Sequence, residues 1–171
     1  MQKTKNIKYT DQYKNKIEYK TIPIQNVGVY VPANLPSTLL MNVIPAKIAG
    51  VKRIVVTTPS QKGKFNPYIM AILKLFKIKE VYQIGGAHAI AAMSYGTESI
   101  KPVSKIFGPG NIYVSTAKKQ IFGKSGIDTI AGPSEIVVVA DKKNKPDWIA
   151  SDLIAQAEHD EKSQSILITK S

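Results

Sequence analysis

A chain of 171 residues is long enough for an ordinary domain with a real core, and with 43% hydrophobic and 21% charged residues it reads as globular rather than disordered. The absence of cysteine excludes disulfides, thiolate metal sites and cysteine nucleophiles together, no apolar run approaches the ~20 residues that span a bilayer, and the Lys-rich start has no apolar signal-peptide region, so a soluble cytoplasmic protein is expected. The net charge of +12 invites nucleic-acid binding, but of 24 basic residues only Arg53 is arginine, the side chain that bidentate phosphate and guanine recognition favours, and the lysines are scattered.

After the polar start, short β-rich runs alternate with helical stretches. Val27 to Val31 reads as a strand that ends at Pro32. Ser37 is the expected cap of a helix with Leu40, Ile44 and Ile48 at helical spacing, stopping at Gly50. Arg53 to Thr58 reads as a second strand, and Asn66-Pro67 opens a helix through Met70, Leu73 and Phe76, with proline at the favoured first position. Glu80 to Ile84 is a third strand running into Gly85-Gly86, followed by a small-residue helix from Ala87 to Tyr95. Lys105 to Phe107 is a short strand, and Asn111 to Phe122 another helix. Glu135 to Ala140 is nearly all apolar, as expected of a strand covered on both faces. Asp147 is the expected cap of a last helix reaching about His159, and Ser165 to Thr169 is a final strand.

Strands alternating with helices imply βαβ crossovers and a mostly parallel sheet with helices on both faces. The chain stops directly after a strand that would need a helix to cover it, so a truncated C-terminus is expected.

Two turns carry possible chemistry. Gly85-Gly86-Ala87 follows a strand and opens a helix, which lets backbone N–H groups approach an anion; on spacing alone it is equally a tight turn, because the full G-x-G-x-x-G fingerprint is absent. Gly108-Pro109-Gly110-Asn111 makes a second such turn, with Asn111 able to cap a helix or bind a ligand. In a parallel sheet both turns lie on the carboxyl edge, where such folds bind ligands. Gln156 and His159 are three apart on the expected last helix and could share a zinc ion, although a site normally takes three or four protein groups and a solvent-facing pair fits the spacing as well.

Together these segments resemble the histidinol dehydrogenase family. The matching text is VGVYVP from Val27, PSTLLMNVIPAKIAGVKRIVV from Pro36, GGAHAIAAMSYGTESI from Gly85 and KIFGPGNIYVSTAKKQIFG from Lys105. It continues with IDTIAGPSEIVVVAD from Ile127 and WIASDLIAQAEHDEKSQSILIT from Trp148. The resemblance implies an NAD-dependent, zinc-containing homodimer with Rossmann-like domains that oxidises L-histidinol to L-histidine. By position it assigns Tyr30, His88 and Asn111 to the cofactor, Ser134, Gln156 and His159 to the substrate, and Gln156 and His159 also to zinc.

The chain departs from the family pattern at several points. Position 88 is usually glutamine there, and Ala33-Asn34 stand where a pair of glycines is usual, in a shortened loop. The family's Glu-His proton-transfer pair and its remaining zinc ligands have no counterpart here, so no catalytic residue is assigned to this chain. The implied plan is a polar arm over 1–26, a Rossmann-like cofactor domain over 27–133, and the truncated start of a second α/β domain over 134–171. Three functions remain open: part of the dehydrogenase, inactive alone; a non-catalytic remnant of the family; and a Lys-rich nucleic-acid binder.

Overall fold

The computed structural model describes residues 6–60, 63–130, 135–158 and 163–170. They fall into two compact units, one running to Asp128 and one starting at Thr129.

The first unit begins with an antiparallel hairpin of β1 (Ile7–Thr10) and β2 (Lys16–Tyr19), within the stretch expected to be a polar arm. Its signal is Ile7/Tyr9 and Ile17/Tyr19 alternating with polar residues. The turn is organised by Asp11, whose carboxylate accepts from the amides of Tyr13 and Asn15, each at 2.8 Å. All eight strand residues are exposed, so the hairpin adds little to the core.

The rest of the unit is a sheet covered on both faces. In chain order come β3 (Asn26–Tyr30), α1 (Pro36–Ile48), β4 (Arg53–Thr57), α2 (Pro67–Leu75), β5 (Glu80–Tyr82) and α3 (Gly86–Tyr95). They are followed by β6 (Lys105–Phe107), α4 (Ile112–Ile121) and β7 (Gly126–Ile127). The five strands are all parallel, in the order β5-β4-β3-β6-β7. The chain therefore builds outward from β3 through β4 to β5, crosses back, and builds the other way through β6 to β7.

Side chains alternate across the pleat as the strand period requires. Val27, Val29, Ile54 and Val56 face α1 and α2, packing with Leu39, Val43, Ile69 and Leu73. Tyr30, Val55 and Ile106 face α3 and α4, packing with Ile90, Met93, Val114 and Ile121.

Local chemistry explains several element ends. Asn66 caps α2, its side chain accepting from the amide of Tyr68 at 2.9 Å, with Pro67 at the first helical position. Asn111 caps α4 by accepting from the amide of Val114 at 3.2 Å. Two expected caps differ: Ser37 lies inside the first turn of α1 behind Leu35, and Asp147 lies inside the first turn of the last helix behind Lys145. In both cases a proline starts the helix, with φ preset for the first turn and no N–H of its own to satisfy, and no side chain caps the end.

The buried face of α1 also differs from the expected one. Leu39 and Val43 are fully buried, while Ile44 and Ile48 are 40% and 64% exposed. The text LLMNVIPAKI is apolar nearly all round, so two stripes fit the helical period equally.

The second unit pairs β8 (Glu135–Ala140) with β9 (Gln164–Thr169) in parallel, joined through α5 (Pro146–Ala157). β8 was expected to be covered on both faces. Instead, Val137 and Val139 are 52% and 75% exposed: within this unit α5 packs on the strands and the other face is bare.

Candidate functional site

The strand order places a topological switch between β3 and β6, where the chain changes its direction of building. Open parallel sheets bind ligands in the crevice at the carboxyl ends of the strands beside such a switch. Five segments leave the sheet at this edge: the turn after Tyr30, the stretch after Thr57 of β4, Gly85-Gly86 after β5, Gly108 to Asn111 after β6, and Asp128 after β7.

Tyr30, the last residue of β3, is 6% exposed. Its phenolic oxygen accepts from the amide of Gly86 at 3.3 Å, tying the switch strand to the first turn of α3. Gly86 itself sits at φ +63, a left-handed conformation that side chains rarely adopt. His88 is two residues on, exposed in the same first turn. Neither α3 nor α4 carries an acidic residue in its first turn, so neither helix opposes the positive end of its dipole with a carboxylate of its own.

The second turn packs directly on the switch strand. Gly108 has φ +114, and a Cβ there would lie 2.0 Å from the carbonyl oxygen of Tyr30. Only glycine lets the two backbones approach this closely. Gly108 is held at both of its backbone polar groups: its amide donates to Asp128 Oδ2 at 2.8 Å, and its carbonyl accepts from Lys118 Nζ at 3.0 Å. Lys118 also forms an ion pair with Asp128. Lys118 is 2% exposed, although its lysine-rich context reads as a solvated face. The signal was its spacing, since Lys118 shares the stripe of Val114, Ala117 and Ile121, all buried.

The turn after Tyr30 is pinned by Asn66, whose Nδ2 donates to the carbonyl of Ala33 at 3.1 Å. Ala33 and Asn34 both lie outside the left-handed region, so the loop takes side chains there without backbone strain.

Tyr30, His88 and Asn111 therefore lie on segments that leave one edge of one sheet, with Asn111 committed to capping α4. Gln156 is half-buried near the end of α5, in the second unit, and that helix closes at Ala157 with Glu158 as its C-cap. Ser134 and His159 lie outside the described residues. Among the described residues, no group of three or more His, Cys, Asp or Glu could hold a metal ion.

The single arginine is used at the opposite, amino edge. Arg53 Nε and Nη2 donate to both oxygens of Glu80 at 2.8 Å each, and Nη2 and Nη1 donate to the carbonyls of Lys101 and Pro102 at 2.9 and 3.0 Å. Arg53 thus clamps β4, β5 and the segment before β6, and the hydrogen bonds with Arg53 hold the Glu80 carboxyl below the usual glutamate range. Among the described residues no helix is long and apolar enough to cross a membrane.

Comparison with known proteins gives one answer. A family profile described as histidinol dehydrogenase matches residues 1–171. The histidinol dehydrogenase of Pelagibacter ubique is 59% identical over 99% of this chain and 41% of its own length. That of Rhizobium meliloti is 56% identical over 94% of this chain and 38% of its own. The crystal structure of histidinol dehydrogenase from Elizabethkingia anophelis superposes with a TM-score of 0.93 at 42% identity, covering 99% of this chain and 40% of that one. The chain thus spans about 40% of the length of the relatives it matches.

Proposed function

The chain belongs to the histidinol dehydrogenase family, and on that premise we propose that it is the nicotinamide-dinucleotide-binding portion of an enzyme that oxidises L-histidinol to L-histidine. The observation that carries this reading is the convergence of Tyr30, the Gly86 turn and the Gly108–Asn111 turn on the switch point of a parallel sheet. Tyr30, His88 and Asn111 contact the nicotinamide end, and the N-termini of α3 and α4, with no acidic residue in their first turns, favour the charge of the pyrophosphate. When bound, NAD supplies the hydride acceptor for the two oxidations. The residues of this chain bind and orient it, and none of them is assigned to proton transfer.

On the same reading, residues 27–133 are the cofactor domain, 1–26 an arm, and 134–171 the start of a second α/β domain. Ser134, Gln156 and His159 approach the substrate there. Gln156 and His159 supply two zinc ligands, fewer than the three protein groups of a catalytic site. This chain alone therefore does not fit a resident zinc. The working enzyme is a cytoplasmic homodimer acting on a small molecule, with neither a membrane nor a nucleic acid as partner.

The test is calorimetry of NAD⁺ on the purified chain, beside a His88→Gln variant and an assay of NADH formation from L-histidinol. Saturable NAD⁺ binding, no turnover and no tight stoichiometric zinc are expected. Binding in the variant but not the parent would mark a relative whose cofactor site has decayed. No binding in either would sink the reading.

A further inference from the structure

A buried lysine needs a reason, because an ammonium taken out of water is stable only when its donors are satisfied. Lys118 lies on the apolar stripe of α4, six residues into the helix and roughly 9 Å along its axis from the turn at its start. Helical side chains lean toward the N-terminus, so its stem runs back up the helix to the carboxyl edge of the sheet. There its Nζ reaches two acceptors, the carbonyl of Gly108 at 3.0 Å and the carboxylate of Asp128, the residue that follows β7. The other carboxylate oxygen of Asp128 takes the amide of the same glycine at 2.8 Å. One ion pair thus holds both backbone polar groups of a single residue, and so the peptide planes on either side of it, at the point where the chain turns against Tyr30.

Gly108 is badly placed to hold itself. Gly108 has φ +114, glycine gives the backbone its widest freedom, and the turn that follows carries Asn111. Without the clamp, the turn has other conformations open to it.

We propose that the Lys118–Asp128 pair is a positioning device for the dinucleotide site. It fixes the direction of the Gly108–Asn111 turn against the switch strand, so that the N-terminus of α4 is aimed before the cofactor arrives. This rests on the reading of the carboxyl edge as the dinucleotide site. Neither residue is assigned a contact with the cofactor; their effect is preorganisation, which lowers the ordering cost of binding.

The test uses the intact chain and Lys118→Met, which keeps the stem in the apolar stripe and removes the charge and its donors. Amide-resolved NMR without ligand reads the turn, and an NAD⁺ titration reads the site. Lys118→Met is expected to move the Gly108, Gly110 and Asn111 amides while those of β3, β4 and α1 stay in place. It is expected to weaken NAD⁺ binding about ten-fold, on the scale of one lost net hydrogen bond. Exposed Lys119→Met, which removes a neighbouring charge without touching the clamp, should do neither. If Lys118→Met does not fold, Asp128→Asn carries the same expectations, since it keeps an acceptor for the Gly108 amide but breaks the ion pair.

Unmoved turn amides, or parental affinity in a folded variant, overturn the proposal. Equal weakening by Lys119→Met overturns it too, because the effect would then be bulk charge. If the parent itself shows no NAD⁺ shifts, the dinucleotide reading fails separately. The clamp is then decided by the ligand-free amides alone: moved, it stands as the device that sets the turn; unmoved, it falls.

Discussion

Arg53 shows how much one side chain can decide. In a chain whose other basic residues are all lysine, the one planar fork sits where four hydrogen bonds to Glu80, Lys101 and Pro102 require it. Lysine cannot reproduce that pattern, so Arg53→Lys should cost about 1–2 kcal/mol after allowing for partial hydration of the pair. The pH dependence follows from Glu80, whose carboxyl is held below its ordinary value by the hydrogen bonds with Arg53. Its contribution is complete above the unfolded value of about 4.3 and is lost as pH falls through the lower folded value. Thermal melts of the parent and of Glu80→Gln should therefore differ at neutral pH and converge in acid. A gap that persisted unchanged into strong acid would contradict this.

At the same scale, the sequence was a partial guide to the site. The glycine turns and Asn111 announced themselves through spacing after strands. Lys118 did not, because a lysine in a lysine-rich chain reads as solvated unless its place on an apolar stripe is weighed first. Gly108 was visible as a turn residue, but its packing against Tyr30, so close that a Cβ would lie 2.0 Å from the Tyr30 carbonyl oxygen, is a long-range fact that only the folded sheet creates.

Among the elements, strands with one or two buried faces were legible, and their parallel direction, though not their order in the sheet, followed from alternation with helices. The two-residue β7 was not, since so short a pairing leaves no periodicity to read. Which face of α1 is buried was also hidden, because Leu39/Val43 and Ile44/Ile48 satisfy the same spacing. The apolar text of β8 predicted burial on both faces, yet Val137 and Val139 are bare within their unit. Two-stranded sheets are marginal in water, and parallel strands are ordinarily covered on both sides. Hydrogen exchange should accordingly protect β3 and β4 far more than β8 and β9, and more than the wholly exposed β1–β2 hairpin. Equal protection in all of them would show that side-chain burial does not set local stability in this chain.

At the scale of the whole molecule, the family and the sheet order lead to the same edge. The chain spans about 40% of its relatives' length, and its first unit contains a full switch point with helices on both faces. On the proposed reading binding and turnover are separable in it: the carboxyl edge of the sheet would hold the dinucleotide, while the proton-transfer pair and the zinc ligands beyond Gln156 and His159 are assigned to no residue of this chain. The most direct test is an NAD⁺ titration of the chain followed by amide-resolved NMR. The account predicts saturable shifts gathered at Tyr30, Gly86, His88 and the Gly108–Asn111 turn, with the amino-edge residues Arg53 and Glu80 unmoved. Shifts that never saturate, or that fall away from the carboxyl edge, would contradict it.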